Sequence, residues 1–332
     1  MPVVPSVKRF LDRRAAAGGA VTGINDLDIC TARDYFDFNM QLGGIPSRSV
    51  DTIEDVHVDT RDGVQLNARV YYPRRPCWTD PLPVLLYFHS GGYVVGSLKS
   101  ADAICRMFAA ETQCAVMSVD YRLAPEHKFP HAVNDAIDTL QWLHRQAGAL
   151  GLDAERLAIG GESSGATLAA VSAFRARDAG IRVALQILIY PALSARTDTQ
   201  AHRRYGDGYF LTLPVIQWIQ TTYLRTSDDT NDWRFAPLDG ERNAPPQWTG
   251  LPPTWFVSAE CDPLQEEHAA YADRLRSHGN EVAIRFYPGM IHGFFSMGGL
   301  IPEAAVAHRE TVGALRKAFR MTAAPASPLS GA

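Results

Sequence analysis

The chain has 332 residues, 46% of them hydrophobic and 20% charged, with 26 glycines and 21 prolines. A length of this order suits one large α/β unit or two domains, and the composition excludes disordered, collagen-like and coiled-coil chains. The 32 basic and 36 acidic residues leave a net charge of −4, without a Lys/Arg cluster able to neutralise a run of phosphates, so no nucleic-acid partner is expected.

The first segment, Met1 to Ala20, carries Lys8, Arg9, Arg13 and Arg14 but lacks the apolar stretch of a signal peptide. No later window offers about 18 uncharged apolar residues. The sequence therefore predicts a cytoplasmic protein without a membrane partner. Five cysteines (Cys30, Cys77, Cys105, Cys114, Cys261) are odd in number and contain no C-x-x-C pair. They read as reduced, buried thiols, and neither a metal nor a cofactor is expected.

In chain order, a polar-apolar helix is predicted near Val7 to Ala17, followed by an aromatic group, Tyr35, Phe36 and Phe38, before any strand. Ile53 to Val58 and Val64 to Tyr72 alternate around the turn Arg61-Asp62-Gly63, the pattern of an antiparallel hairpin. Short, nearly continuous apolar runs come next: Val84 to Phe88, Ala115 to Val119, Leu157 to Ile159, Leu185 to Tyr190, Thr254 to Ala259 and Val282 to Tyr287. Such runs suit strands buried on both faces of a mostly parallel sheet. Between and after them lie helical stretches, Ala101 to Thr112, Val133 to Gln146, Ser164 to Arg177, Leu264 to His278 and Glu303 to Phe319, which makes the class α/β.

Residues 195–245 interrupt this alternation and include a helix predicted over Leu213 to Leu224, far beyond an ordinary connection of about two to six residues. Residues 1–45 and 195–245 are expected to form a cap over a core of residues 46–194 and 246–321. The Ala-, Ser- and Pro-rich tail, 322–332, is expected to be frayed.

The sharpest chemical signal is Gly161-Glu162-Ser163-Ser164-Gly165, between an apolar run and a helix-forming stretch. A serine at a tight strand-to-helix turn is pushed out of the sheet, and flanking glycines let neighbouring backbone approach. The Ser163 hydroxyl needs a base to become a nucleophile. His89-Ser90-Gly91-Gly92-Tyr93 follows the run Val84 to Phe88; its successive glycines suit backbone N–H groups turned toward an oxyanion, with a further donor from Ser164. For the acid, Glu260 and Asp262 both follow the run Thr254 to Ala259, and Asp262 is favoured because Pro263 biases it toward an extended or turn conformation. Among the later histidines, His268 and His308 fall within helices and His278 at a helix end, whereas His292 follows a strand in a glycine-containing loop. His127 and His131 flank Pro130, which argues against a helical metal pair. Asp120 and Arg122 read as loop anchors.

At these residues the chain resembles the hormone-sensitive-lipase-like family of α/β-hydrolase esterases, the bacterial family IV type. His89 to Gly92 is similar to the family's HGGG except at Ser90; Asp120 to Glu126 reads DYRLAPE; Asp262-Pro263-Leu264 and His292-Gly293-Phe294 resemble its DPL and HGF motifs. The resemblance spans about residues 45–320. It implies an α/β-hydrolase fold with about eight strands and a helical cap, and Gly91 and Gly92 as the oxyanion donors beside Ser164. It also implies a preference for short and medium acyl esters, and a homodimer through the edge near Val282 to Tyr287.

The expected activity is that of a serine carboxylesterase with Ser163 as nucleophile, His292 as base and Asp262 as acid, acting on a small-molecule ester. Hydrolysis of a lactone, carbamate or aryl formamide, or a non-catalytic binding relative, are the alternatives. Tyr93, Tyr35, Phe36, Phe210 and Leu211 are the expected substrate-binding residues, and Phe38, Tyr209 and Trp218 are expected to complete an apolar roof.

Overall fold

The computed structural model describes residues 3–17, 23–245 and 247–321; the tail 322–332 lies outside the described residues. The chain opens with α1 (Pro5–Ala17) and α2 (Ile29–Gly43), then the strands β1 (Thr52–Asp59), β2 (Gln65–Tyr72) and β3 (Leu82–Phe88). Alternation follows through α3 (Leu98–Thr112), β4 (Ala115–Val119), α4 (His131–Gln146), β5 (Leu152–Glu162), α5 (Ser164–Asp178) and β6 (Leu185–Ile189). After α6 (Gln200–Tyr205) and α7 (Leu213–Tyr223), the chain resumes with β7 (Thr254–Cys261), α8 (Gln265–Ser277), β8 (Val282–Ile291) and α9 (Ala304–Ala318).

The strands form one eight-stranded sheet in the order β1-β2-β4-β3-β5-β6-β7-β8. The β1–β2 hairpin and the β2–β4 pair are antiparallel, and every pair from β4 to β8 is parallel. This is the mostly parallel α/β sheet that the apolar runs predict. All residues of β3 and β4 are buried, because helices cover both faces of the parallel part. The hairpin is wetter, with alternation of exposed and buried positions along the first half of β2.

Two helices depart from the sequence expectation. The aromatic group Tyr35, Phe36 and Phe38 lies on α2, which buries only Ala32, Met40 and Gly43. So narrow a stripe gives little apolar periodicity. The legible signal was its cap, Asp28, whose carboxylate accepts from the Thr31 N–H at 3.1 Å. The six-residue α6 is too short for periodicity to mark. Buried thiols are found at Cys105, Cys114 and Cys261, but Cys30, in the first turn of α2, and Cys77, after β2, are exposed.

Arginines fasten the outer segments to the sheet. Arg33 on α2 donates to the carbonyls of Val94 (3.0 Å) and Ala124 (2.9 Å) and grips Glu126 with both terminal nitrogens, at 2.9 and 2.6 Å. Arg122, as expected, anchors its loop: it pairs with fully buried Asp135 at 2.5 Å and with Asp62 at 2.7 Å. The Arg122 N–H also donates to Asp135. His127 and His131 sit with ring centroids 5.5 Å apart on either side of Pro130, His131 opening α4. Among the described residues no helix is long and apolar enough to cross a membrane.

Removing one partner of a buried ion pair leaves an uncompensated charge, a loss of about 3–5 kcal/mol. Arg122→Ala is expected to lower unfolding free energy on that scale, whereas Arg196→Ala, at an exposed pair with Asp198, stays within about 1 kcal/mol of the parent. Urea denaturation of both variants checks the contrast.

Candidate active site

β5 ends at Glu162 and α5 begins at Ser164, leaving Ser163 alone in the turn with φ 55° and ψ −121°. This backbone is strained for a residue with a side chain, a cost of about 1–3 kcal/mol held in place by the surrounding structure. The Ser163 N–H donates to Ile189 O at 2.9 Å, and its carbonyl accepts from the Ala166 N–H. The turn closes this tightly because residue 165 is glycine: a Cβ there would stand 2.1 Å from Phe88 O.

Ser163 Oγ lies 2.9 Å from His292 Nε2. His292 Nδ1 lies 2.7 Å from Asp262 Oδ2; since a carboxylate only accepts, the proton sits on Nδ1 and Nε2 is free to accept from the serine. Burial would push the Asp262 carboxyl up, but the His292 ring's charge and hydrogen bond hold it below the usual range, helped by the Leu264 N–H at 2.9 Å. Glu260, the other carboxylate, is committed elsewhere: its Oε2 accepts from the Gly289 N–H at 2.7 Å.

A second layer braces the imidazole. The Tyr190 ring packs 4.7 Å from the His292 ring, its hydroxyl donates to Glu162 Oε1 at 2.7 Å, and the other Glu162 oxygen accepts from Ser296 Oγ. His268 is buried, with Nε2 donating to Pro191 O at 3.0 Å and Nδ1 accepting from Ser258 Oγ at 2.8 Å. His278 stands at the end of α8 and His308 donates to Phe295 O at 2.7 Å. Neither is bonded to Ser163.

Gly91 and Gly92 follow β3 with φ of 127° and 61°. A Cβ at residue 91 would fall 2.0 Å from Val95 O, so only glycine closes this loop. His89 holds it from below: Nδ1 donates to Ser90 O at 2.8 Å, and the ring stacks on Tyr121 at 4.1 Å. Tyr121 Oη in turn donates to His89 O at 2.8 Å. The Gly92 N–H donates to Ser164 Oγ at 2.9 Å, a side-chain tie that the sequence reading, which gave Ser164 a backbone part alone, missed.

Ser163, His292, Gly91 and Gly92 face a cavity of about 330 Å³. Tyr35 and Phe36 of α2, Phe210, Leu211 and Trp218 line it, together with Phe10, Met40, Val215, Ile219, Met297 and Leu300. Tyr93 does not: it is buried, with its ring stacked on Tyr223 at 4.1 Å, because its left-handed backbone (φ 64°) turns the chain away after the glycines. Phe38 is 63% exposed, and Tyr209 packs edge-on against Tyr205 at 5.2 Å. Among the described residues no group of three or more His, Cys, Asp or Glu is disposed to hold a metal ion.

A strained serine turn between a parallel strand and a helix, backed by a histidine and an acid from later strands, is the site architecture of α/β hydrolases. The family model described as alpha/beta hydrolase fold matches residues 85–296, and the chain belongs to that family. It is 38% identical over 311 residues to ethyl acetate hydrolase of Pseudomonas putida, covering 92% of this chain and 95% of that protein. It is 36% identical to carboxylic ester hydrolase LipN of Mycobacterium tuberculosis, covering 79% and 71%. An ester hydrolase from the metagenome of Lake Arreo, solved with a bipyridine phosphonate derivative, superposes with a TM-score of 0.89 at 34% identity, covering 96% of this chain and 100% of that one. These relatives bear out the resemblance to hormone-sensitive-lipase-like esterases.

Burial lowers both His89 and His268 to about 4, below the ordinary imidazole value of about 6.5. The unfolded chain therefore takes up these protons first, so their contribution to stability is full above about 6.5 and is lost as pH falls toward 4. Buried Glu162 and Glu267, whose carboxyls desolvation raises, act with the opposite sign, so the histidine effect is read by difference: between about pH 7 and pH 4.5 the melting temperature of His268→Gln is expected to fall less than that of the parent, and parallel profiles would contradict a neutral, buried His268.

Proposed function

We infer that the chain is a serine carboxylesterase for short- and medium-chain acyl esters. The observation that carries this reading is the hydrogen-bonded series Ser163–His292–Asp262 at the floor of an apolar cavity. His292 Nε2 takes the proton as Ser163 Oγ attacks the ester carbonyl. The carbonyl oxygen becomes an oxyanion held by the N–H groups of Gly91, Gly92 and Ser164. At rest the Gly92 N–H is held by Ser164 Oγ, and the arriving oxyanion displaces that neutral acceptor because a charged acceptor bonds more strongly. Collapse breaks the ester C–O bond, His292 gives its proton to the leaving alcohol, and water repeats the sequence on the acyl-enzyme. Asp262 orients the ring and offsets the imidazolium charge.

The name of the Pseudomonas putida relative, ethyl acetate hydrolase, supports small acyl groups. Residues 1–45 and 195–245 act as the cap, since α1, α2, Phe210 and α7 contribute most of the apolar lining. The proposed location is the cytoplasm, where exposed free thiols such as Cys30 and Cys77 stay reduced. A homodimer pairing the β8 edges is also proposed: β8 ends the sheet and Phe286 on it is 45% exposed.

Ser163→Ala is expected to abolish p-nitrophenyl butyrate hydrolysis with an unchanged melting curve. Asp262→Asn lowers kcat by up to about 10⁴-fold, while Glu260→Gln costs far less; equal losses in the two carboxylate variants would transfer the acid role. Acyl length is the second test. Each methylene buried against apolar surface gains about 0.8 kcal/mol, and the gain stops at the cavity wall, so kcat/KM peaks at a short or medium acyl chain and falls for palmitate. Phe210→Ala moves the peak to longer chains.

A further inference from the structure

The cavity is not uniformly apolar. Phe10, Arg13 and Arg14 occupy positions i, i+3 and i+4 of α1, one face of the helix, and all three line the cavity. Arg13 is exposed and Arg14 half-buried, so the two guanidinium groups stand where the cavity meets solvent. Arg14 lies over the Phe210 ring at 5.3 Å, within cation–π range. Among the described residues neither arginine has an ion-pair partner. Neighbouring Asp12 is taken by Lys8 at 2.7 Å. The one carboxylate in the lining, Glu162, has both oxygens occupied by Tyr190 and Ser296. The lining therefore sets two guanidinium groups of α1 against the single buried carboxylate of Glu162, with Ser163 in the same apolar cavity.

We propose that this opening receives a carboxylate carried by the substrate at the end remote from the scissile ester, so that the preferred substrates are half-esters of dicarboxylic acids or esters of similar anionic build. The inference rests on the esterase reading and names its substrate class. A guanidinium is weakly hydrated and presents a fork that matches a carboxylate. The apolar lining of Phe36, Phe210 and Leu211 takes the methylenes between the two ends. Because Arg13 is exposed and screened, its effect is that of a surface pair, and the two arginines together are worth about fivefold in affinity.

The test is a matched pair of substrates of equal acyl length, mono-p-nitrophenyl glutarate and p-nitrophenyl valerate. Their kcat/KM ratio is measured for the parent, Arg13→Gln/Arg14→Gln and the charge-retaining Arg13→Lys/Arg14→Lys enzyme, at low and high NaCl. The ratio of anionic to neutral ester is expected to fall about fivefold in the Gln enzyme, to fall less in the Lys enzyme, which keeps the charge without the fork, and to fall in the parent as salt screens the field. Valerate hydrolysis with a ratio that neither the Gln substitutions nor salt alter would overturn the proposal alone. Failure of the parent to hydrolyse either ester would overturn the esterase reading and the proposal with it.

Discussion

The site depends on how closely two backbones approach one another. The N-terminus of α5 presses on the end of β3 at a separation that leaves no room for a side chain at Gly165. That contact places Ser163 in its strained turn and sets Ser164 beside the Gly91–Gly92 loop, where its hydroxyl meets the Gly92 N–H. Both Ser163 and the Gly91–Gly92 loop are thus held by a single van der Waals limit between main chains. The strain at Ser163 is carried by the buried helix behind it, whose residues from Ser164 to Phe174 are all enclosed.

The remaining two members arrive through sheet order. β5, β6, β7 and β8 are parallel neighbours, so their C-terminal ends share one edge, and the residues that follow them converge there. His292 is 129 residues from Ser163 in sequence and within hydrogen-bond distance of it in space. Tyr190, just after β6, packs its ring on that of His292 and donates its hydroxyl to Glu162. Glu162, the residue before Ser163, therefore belongs to the hydrogen-bonded group that packs on the His292 ring.

Much of this was legible in the sequence because it is enforced by local chemistry. Nearly continuous apolar runs marked the six strands after the hairpin: β3 and β4 are buried throughout, and even β8, which keeps exposed positions at the sheet edge, is mostly apolar. Ser163, Asp262 and His292 were readable because each sits just past a strand, where only a few polar residues are available. The cap was harder. On α2 the buried positions are few and small, and Tyr35 and Phe38 are more than a third exposed, so hydrophobicity did not report the helix. Phe10, Met297 and Leu300 join the cavity from distant segments whose meeting depends on tertiary packing. Tyr93 follows an oxyanion-type motif, yet positive φ turns its ring into the core; side-chain direction at such a position is invisible to residue type.

The Arg33 fork has a consequence for how the pocket can be remodelled. One side chain on α2 holds the carbonyls of Val94 and Ala124 and the carboxylate of Glu126, and Val94 in turn donates its N–H to Gly91 O. Helix α2, which lines the cavity, and the Gly91–Gly92 loop are therefore one mechanical unit. Cutting away the first two helices to admit bulkier substrates would also release the loop beneath them. Space is better gained one side chain at a time, from residues such as Leu211 or Trp218 that touch the cavity without gripping its frame.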